Sequence, residues 1–251
     1  VNAFNITEYN PDTCWSTVIT TDTAKDEVTA WNYVKIFGWE AGRKYLVSVR
    51  GVDKAGNYKP AAPQNNTFVV GVDSNTFTYD DAAPEITITR PLTLATTAAY
   101  SSLTTISGTS ADQPGEPFYN SGVAEVQLRI WYLSEGDTYY WQGGGGPVYW
   151  SSETVTTHSI TDNLDNWTYT HTKFQDATAW TGKDGYLFRA QARAKDGSQN
   201  WSGWQTVPFI YDSVPPLTPV VNLPLAGRSY DNLPQITGTA EDQHSVINRV
   251  Q

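Results

Sequence analysis

The chain repeats itself at long range, and this constrains its fold more than any local pattern does. Ile106-Ser-Gly-Thr-Ser-Ala-Asp112 returns as Ile236-Thr-Gly-Thr-Ala-Glu-Asp242, 130 residues later. Phe77-Thr-Tyr79-Asp80-Asp81-Ala-Ala-Pro84 returns as Phe209-Ile-Tyr211-Asp212-Ser-Val-Pro215-Pro216 after 132 residues. Arg50-Gly-Val-Asp53-Lys-Ala-Gly-Asn57 returns as Arg193-Ala-Lys-Asp196-Gly-Ser-Gln-Asn200 after 143. Offsets of this size describe a whole domain, because solenoid units are several times shorter; their spread reflects loops of different length.

Between the two copies of the Asp-Pro block, apolar residues alternate with polar ones in short runs bounded by Gly, Pro, Asn and Asp, the pattern of half-buried strands. The expected strands are 85–89, 103–108, 123–133, 139–142, 148–150, 166–172, 186–194 and 205–211. In the third run Val126, Leu128 and Ile130 share a face, and in the seventh Phe188, Ala190, Ala192 and Ala194 oppose Leu187, Arg189, Gln191 and Arg193. Runs 139–142 and 148–150 form a hairpin around Gly143–Gly146. Helical periodicity is absent, and ten Trp, fifteen Tyr and no Met suit a β-rich chain. About seven short strands with turn signals between them is the requirement of an immunoglobulin-like sandwich. The expected fold class is all-β, with tandem immunoglobulin-like β-sandwich domains.

The repeated blocks resemble the bacterial immunoglobulin-like (Big-type) repeats of large cell-surface or extracellular proteins. The resemblance lies in the Ser-Gly-Thr strand end at Ser107–Asp112 with its Thr-Gly-Thr copy at Thr237–Asp242, the Arg-x-x-Asp strand and turn at 50–57 and 193–200, and the Asp-Pro linkers at 80–84 and 212–216. It implies an extracellular or cell-surface setting and no particular ligand. Two departures are visible: the middle copy reads Asp-Gly-Ser-Gln-Asn where Ala-Gly-Asn is usual, and the first linker has one proline instead of two.

Three segments follow: 1–80 as the C-terminal part of an immunoglobulin-like domain, 81–212 as a complete one, and 213–251 as the N-terminal part of a further one. Placing the end before the beginning aligns Ile247-Asn-Arg-Val250-Gln251-Val1-Asn-Ala3-Phe4 without a gap on Val123–Trp131. Ile247, Val250, Val1 and Ala3 would then belong to one inter-subunit strand, and the split domain would hold 119 residues against 132 for the intact one. The expectation is a terminal domain split between the two chain ends, either one arbitrarily cut period of an array or a subunit completed by its neighbour. The absence of Met fits a portion of something longer. The alternative is a truncated piece with frayed ends.

A formal net charge of −10 disfavours nucleic acid and anionic lipid as partners. No apolar run approaches the roughly 18–20 residues of a membrane span, and no leader pattern opens the sequence. The lone Cys14 forms neither an intrachain disulfide nor a thiolate zinc cluster, and reads as a small buried hydrophobe, with an intermolecular bridge as the alternative. In a sandwich the entry linker, the loop after the second strand and the loop before the last strand meet at one pole. This gathers Asp80, Asp81, Asp112, Asp196 and Asn200, with Asp212 and Asp242 repeating the arrangement at the next junction; such oxygen-rich sets suit calcium. The competing expectation is that these side chains cap their own turns. Tyr139, Tyr140, Trp141, Tyr149 and Trp150 form an aromatic cluster, either core and lateral packing or a platform for a surface glycan. Asn5, Asn65, Asn166 and Asn200 fit the N-glycosylation triplet, which also arises by chance. His158, His171 and His244 lack metal-ligand spacing, Asp162 and Asp165 lie in a turn-rich loop, and no nucleophile motif is present, so no enzyme is expected. The expected function is a structural repeat unit of an extracellular filament or surface stalk, joined end to end to copies of itself. An adhesin or carbohydrate-binding module using the Tyr139–Trp150 face is the alternative.

Overall fold

The computed structural model describes residues 31–34, 38–59, 69–93, 97–143 and 149–251. Expectations for Val1, Ala3, Asn5, Cys14, Asn65 and the glycines at 144–146 lie outside these residues. The chain divides into two compact units, one running to Asp81 and including Glu116–Asn120, the other formed by Ala82–Gly115 and Ser121–Gln251.

In the first unit, β1 (Arg43–Ser48) pairs antiparallel with β4 (Ser74–Tyr79), from Arg43 opposite Tyr79 to Ser48 opposite Ser74. Between them β2 (Gly51–Val52) and β3 (Tyr58–Lys59) form a small hairpin. Trp39 meets Tyr45 and Phe77 edge-on, with centroids 4.6 and 5.2 Å away, and Tyr45 stacks on Phe77 at 5.5 Å. Such aromatic contacts add to the burial of the rings themselves.

Within the second unit, residues 82–115 and 121–212 form a two-sheet, sandwich-like all-β body. Its strands are β5 (Glu85–Arg90), β6 (Ala98–Tyr100), β7 (Thr105–Ala111), β8 (Val123–Ser134), β9 (Asp137–Trp141), β10 (Trp150–Ser151), β11 (His158–Ile160), β12 (Thr168–Thr170), β13 (Leu187–Asp196) and β14 (Gln205–Tyr211). One sheet runs β12-β7-β5, and the other runs β10-β9-β8-β13-β14-β6 with β11 also paired to β8. Among the described residues, β6 is the strand that runs parallel to its neighbour, placing Phe209, Ile210 and Tyr211 opposite Ala98, Ala99 and Tyr100. One helical turn, α1 (Thr172–Gln175), buries Phe174 and is capped by His171, whose Nδ1 accepts the Lys173 N–H at 3.1 Å.

Alternation along each strand sets the core. Ile86, Ile88 and Ile106 from one sheet face Val126, Leu128, Ile130, Phe188, Ala190, Ala192 and Phe209 from the other, and all are buried. Trp180 packs edge-on against Phe188 and Phe209 at 5.1 and 6.0 Å, while those two rings stack at 5.3 Å. This is the arrangement of Trp39, Tyr45 and Phe77 in the first unit, with β13 and β14 in place of β1 and β4. Gly42 N–H donates to the Tyr79 carbonyl and Gly185 N–H to the Tyr211 carbonyl, at 3.0 and 2.9 Å, which extends the match.

The last segment repeats the other sheet. β15 (Val220–Leu223) pairs with β16 (Thr237–Thr239), placing Val221 opposite Gly238 just as Ile88 stands opposite Gly108. The register shifts after Val221 as it does after Ile88. Leu225 N–H donates to the Tyr230 hydroxyl at 2.8 Å, as Leu92 N–H does to Tyr100 at 2.7 Å. Residues 240–251 form no strand, so Ile247 and Val250 have no ladder partner there.

The glycine repeated in Ser107-Gly108-Thr109 and Thr237-Gly238-Thr239 has a steric cause. A Cβ at Gly108 would overlap the Thr87 carbonyl oxygen and the Trp167 ring; at Gly238 it would overlap the Val220 carbonyl oxygen. Glycine permits this close backbone approach where no side chain fits. Gly108→Ala is therefore expected to lower the unfolding free energy by at least about 2 kcal/mol, the range of an overpacked core. Gly203→Ala, whose Cβ would have nothing within 4 Å, is the near-neutral control in the same denaturation experiment.

Candidate functional site

The Arg-x-x-Asp repeat forms the same five-residue turn twice. Asp196 N–H donates to the Asn200 carbonyl at 3.1 Å, and the Asp196 carboxylate accepts the Asn200 backbone N–H and side-chain amide, both at 2.8 Å. Asp53 and Asn57 reproduce these bonds at 3.0, 2.8 and 2.8 Å. Bonds from Asn57 hold the exposed Asp53 carboxyl below its ordinary range. The residue before each asparagine takes a left-handed backbone, φ 84° at Gly56 and 77° at Gln199. The departure seen in the middle copy thus places a side chain where its sister turn has glycine.

At the pole reached by this turn, Asp112 and Asp196 are both buried, with carboxylate oxygens within 4.8 Å of one another. Asp112 accepts the Gln113 N–H at 2.9 Å and the Ser121 hydroxyl at 3.4 Å. Asp212, also buried, accepts the Val214 N–H at 3.1 Å. Asp242 accepts the Ser245 and His244 N–H groups at 2.7 and 2.9 Å, which hold its carboxyl below the usual range. Asp80 is buried at the end of β4, and the neighbouring Asp81, exposed, accepts the Tyr79 hydroxyl at 3.3 Å. Turn capping is thus present at Asp112, Asp196, Asp212 and Asp242, while Asp112 and Asp196 add two adjacent buried carboxylates. Such a pair carries mutual repulsion that a divalent cation relieves, and its oxygens are the hard donors calcium takes.

The aromatic cluster sorts by strand alternation. Tyr139 and Trp141 face inward on β9 and Tyr140 faces outward. Trp141 is fully buried against Phe174 and Trp150, its indole N–H donating to Tyr169 at 2.9 Å. Trp150 is buried too, donating to the Ala179 carbonyl at 2.8 Å. Neither tryptophan offers a ring face to a ligand; Tyr139, Tyr140 and Tyr149 keep partial exposure.

The outward face that does combine aromatics with charge is elsewhere. On β8 and β13, Trp131 stands opposite Arg189, Arg129 opposite Gln191, Gln127 opposite Arg193 and Glu125 opposite Lys195. Arg193 lies over Trp201 at 4.0 Å and Trp204 at 4.6 Å, Arg129 over Trp204 at 4.2 Å, and Arg189 over Trp131 at 4.7 Å. Gln127 accepts from Arg193, Gln191 accepts from Arg129, and Lys195 pairs with Glu125 at 3.1 Å. Stacking and hydrogen bonds interlock β8, β13 and the segment before β14 into a stiff ladder. The alternation of Arg189, Gln191 and Arg193 signalled an outward face; Trp201 and Trp204 were the unread signal of what covers it.

Other expected residues fall apart. Asn166 is exposed at the end of a 3-10 turn, whereas the Asn200 amide is occupied by Asp196. His158 faces the Trp141 carbonyl at 3.2 Å, and burial lowers its pKa from the ordinary histidine value. Asp162 is exposed just before that 3-10 turn and Asp165 is exposed within it. No protein-family model matches the chain, and no curated protein matches it. Among the described residues no helix is long and apolar enough to cross a membrane.

Gln199→Gly should raise the unfolding free energy by up to about 1 kcal/mol, because glycine takes φ > 0 without the Cβ penalty that outweighs its extra unfolded-state entropy. Gly56→Gln should have the opposite sign. Denaturation midpoints of both variants check the pair.

Proposed function

We propose that the chain is a structural repeat unit of an extracellular bacterial stalk or filament, built of tandem immunoglobulin-like sandwiches of the Big type and joined end to end to copies of itself. The carrying observation is that each sequence repeat is also a repeat of hydrogen bonding and packing: the Asp-Asn turn, the glycine strand crossing, the Tyr hydroxyl tie and the Trp-centred aromatic cluster. A mechanical spacer needs stiff beads and short joints. The Arg-Trp ladder and the two-sheet core supply the first, and the Asp-Pro linkers supply the second. Calcium held by Asp112 with Asp196 would stiffen the pole by neutralising the paired carboxylates, and Asp212 with Asp242 repeat those sequence positions at the following joint. The reading assigns no catalytic role. The glycan-binding alternative is weakened because Trp141 and Trp150 are in the core, leaving it three partly exposed tyrosines.

Electron microscopy of the concentrated protein with calcium tests this reading. Linear strings of beads are expected, together with a melting temperature that falls on adding excess chelator. Compact single particles at all concentrations would reject the array, and an unchanged melting temperature would remove the ion.

A further inference from the structure

The outward face of β8 and β13 carries cations that the fold holds in place without pairing them to acids. Arg129 lies over Trp204, Arg189 over Trp131 and Arg193 over Trp201, at 4.2, 4.7 and 4.0 Å. Among the described residues, none of these three guanidinium groups forms an ion pair with a carboxylate. Their hydrogen-bond partners are neutral: Gln191 Oε1 accepts from Arg129 Nε at 2.6 Å, and Gln127 Oε1 accepts from Arg193 Nε and Nη2 at 3.0 and 2.8 Å. Lys195, the fourth cation of the face, is neutralised by Glu125. Three positive charges are therefore left uncompensated on one face of a chain whose formal net charge is −10.

Backbone geometry sets the size of what can answer them. Arg189 and Arg193 are four residues apart on β13, about 13 Å along the strand, and Arg129 stands opposite Gln191 between them. A small anion reaches one guanidinium; an extended one reaches all three. β8 already pairs with β9, β11 and β13, and β13 with β8 and β14, so a peptide gains no strand pairing on this face. Contact through side chains alone suits a carbohydrate polymer: planar forks take its carboxylates, and the half-buried indole rings take the apolar faces of its sugars. Stacking restrains each guanidinium before any ligand arrives, which lowers the entropy lost on binding. Nucleic acid fits less well, because the acidic remainder of the chain opposes its dense phosphate charge.

We propose that this face binds an extended acidic polysaccharide, with Arg129, Arg189 and Arg193 holding its carboxylates above Trp131, Trp201 and Trp204. The assignment goes beyond the structural reading above and stands without it, since every residue it uses lies on the complete sandwich and none belongs to the Tyr139–Trp150 cluster.

Titration of the full chain with polygalacturonate oligomers, followed by calorimetry and tryptophan fluorescence, tests the proposal. Binding is expected, with a change in indole emission and an affinity that falls as salt screens the charges. Dextran, a neutral polysaccharide, should not bind. Gln191→Glu puts a carboxylate opposite Arg129 on a side chain of the same size, so the melting temperature should hold or rise while affinity drops about tenfold. Arg189→Gln removes a guanidinium that, among the described residues, makes no hydrogen bond, and should weaken binding by a similar factor. No binding of polygalacturonate, equal binding of dextran, or full affinity in both variants would overturn the proposal. Poly-glutamate bound as tightly as polygalacturonate would overturn it as well, because the face would then read carboxylates without reading sugar.

Discussion

The structure depends on the burial of one sheet's apolar face by another. In the second unit the three-stranded sheet contributes Ile86, Ile88 and Ile106, the larger sheet contributes Val126, Leu128, Ile130, Phe188 and Phe209, and neither set has a place in water. A two-stranded ribbon with a single apolar face is half of such a core and is marginal alone. That constraint gives the exposed Val221 and Ile236 their meaning. They are not scattered surface residues; they occupy positions for which the same chain shows the buried alternative.

The repeats persist at places where backbone geometry leaves few choices. Gly108 and Gly238 stand where a partner strand's carbonyl comes too near for a side chain. Asp196 and Asp53 close their turns by accepting two N–H bonds from one asparagine, which satisfies a backbone bend that would otherwise present unpaired donors. Faces between these fixed points vary freely. Ala190 fills the place that Val47 takes in the first unit, and the Arg-Trp ladder belongs to β8, β13 and the residues before β14.

Strong alternation made much of the fold legible. β8, β13 and β14 were readable because each places apolar residues at successive alternate positions, Val126 to Tyr132, Phe188 to Ala194 and Val207 to Tyr211. β6 and β11 were not, since three residues carry no period and their pairing is decided by distant partners. The one-turn helix at Thr172–Gln175 is likewise too short to leave a pattern. At the candidate sites, the Asp positions were legible as repeated turn residues, and the approach of Asp112 to Asp196 followed from sandwich topology. The direction of Trp141 and Trp150 was not, because alternation says that one neighbour faces inward without saying which. Trp201 and Trp204 gave no strand signal of their own, since they acquire a role only through arginines on β8 and β13.

If copies of the chain join end to end, protection of the amides in β15–β16 and β1–β4 must depend on how many copies meet. Amide hydrogen exchange across a dilution series measures this directly. The account predicts that both segments gain protection together as concentration rises, while β8 and β13, already covered, stay constant. Protection in β15–β16 that is independent of concentration would contradict it.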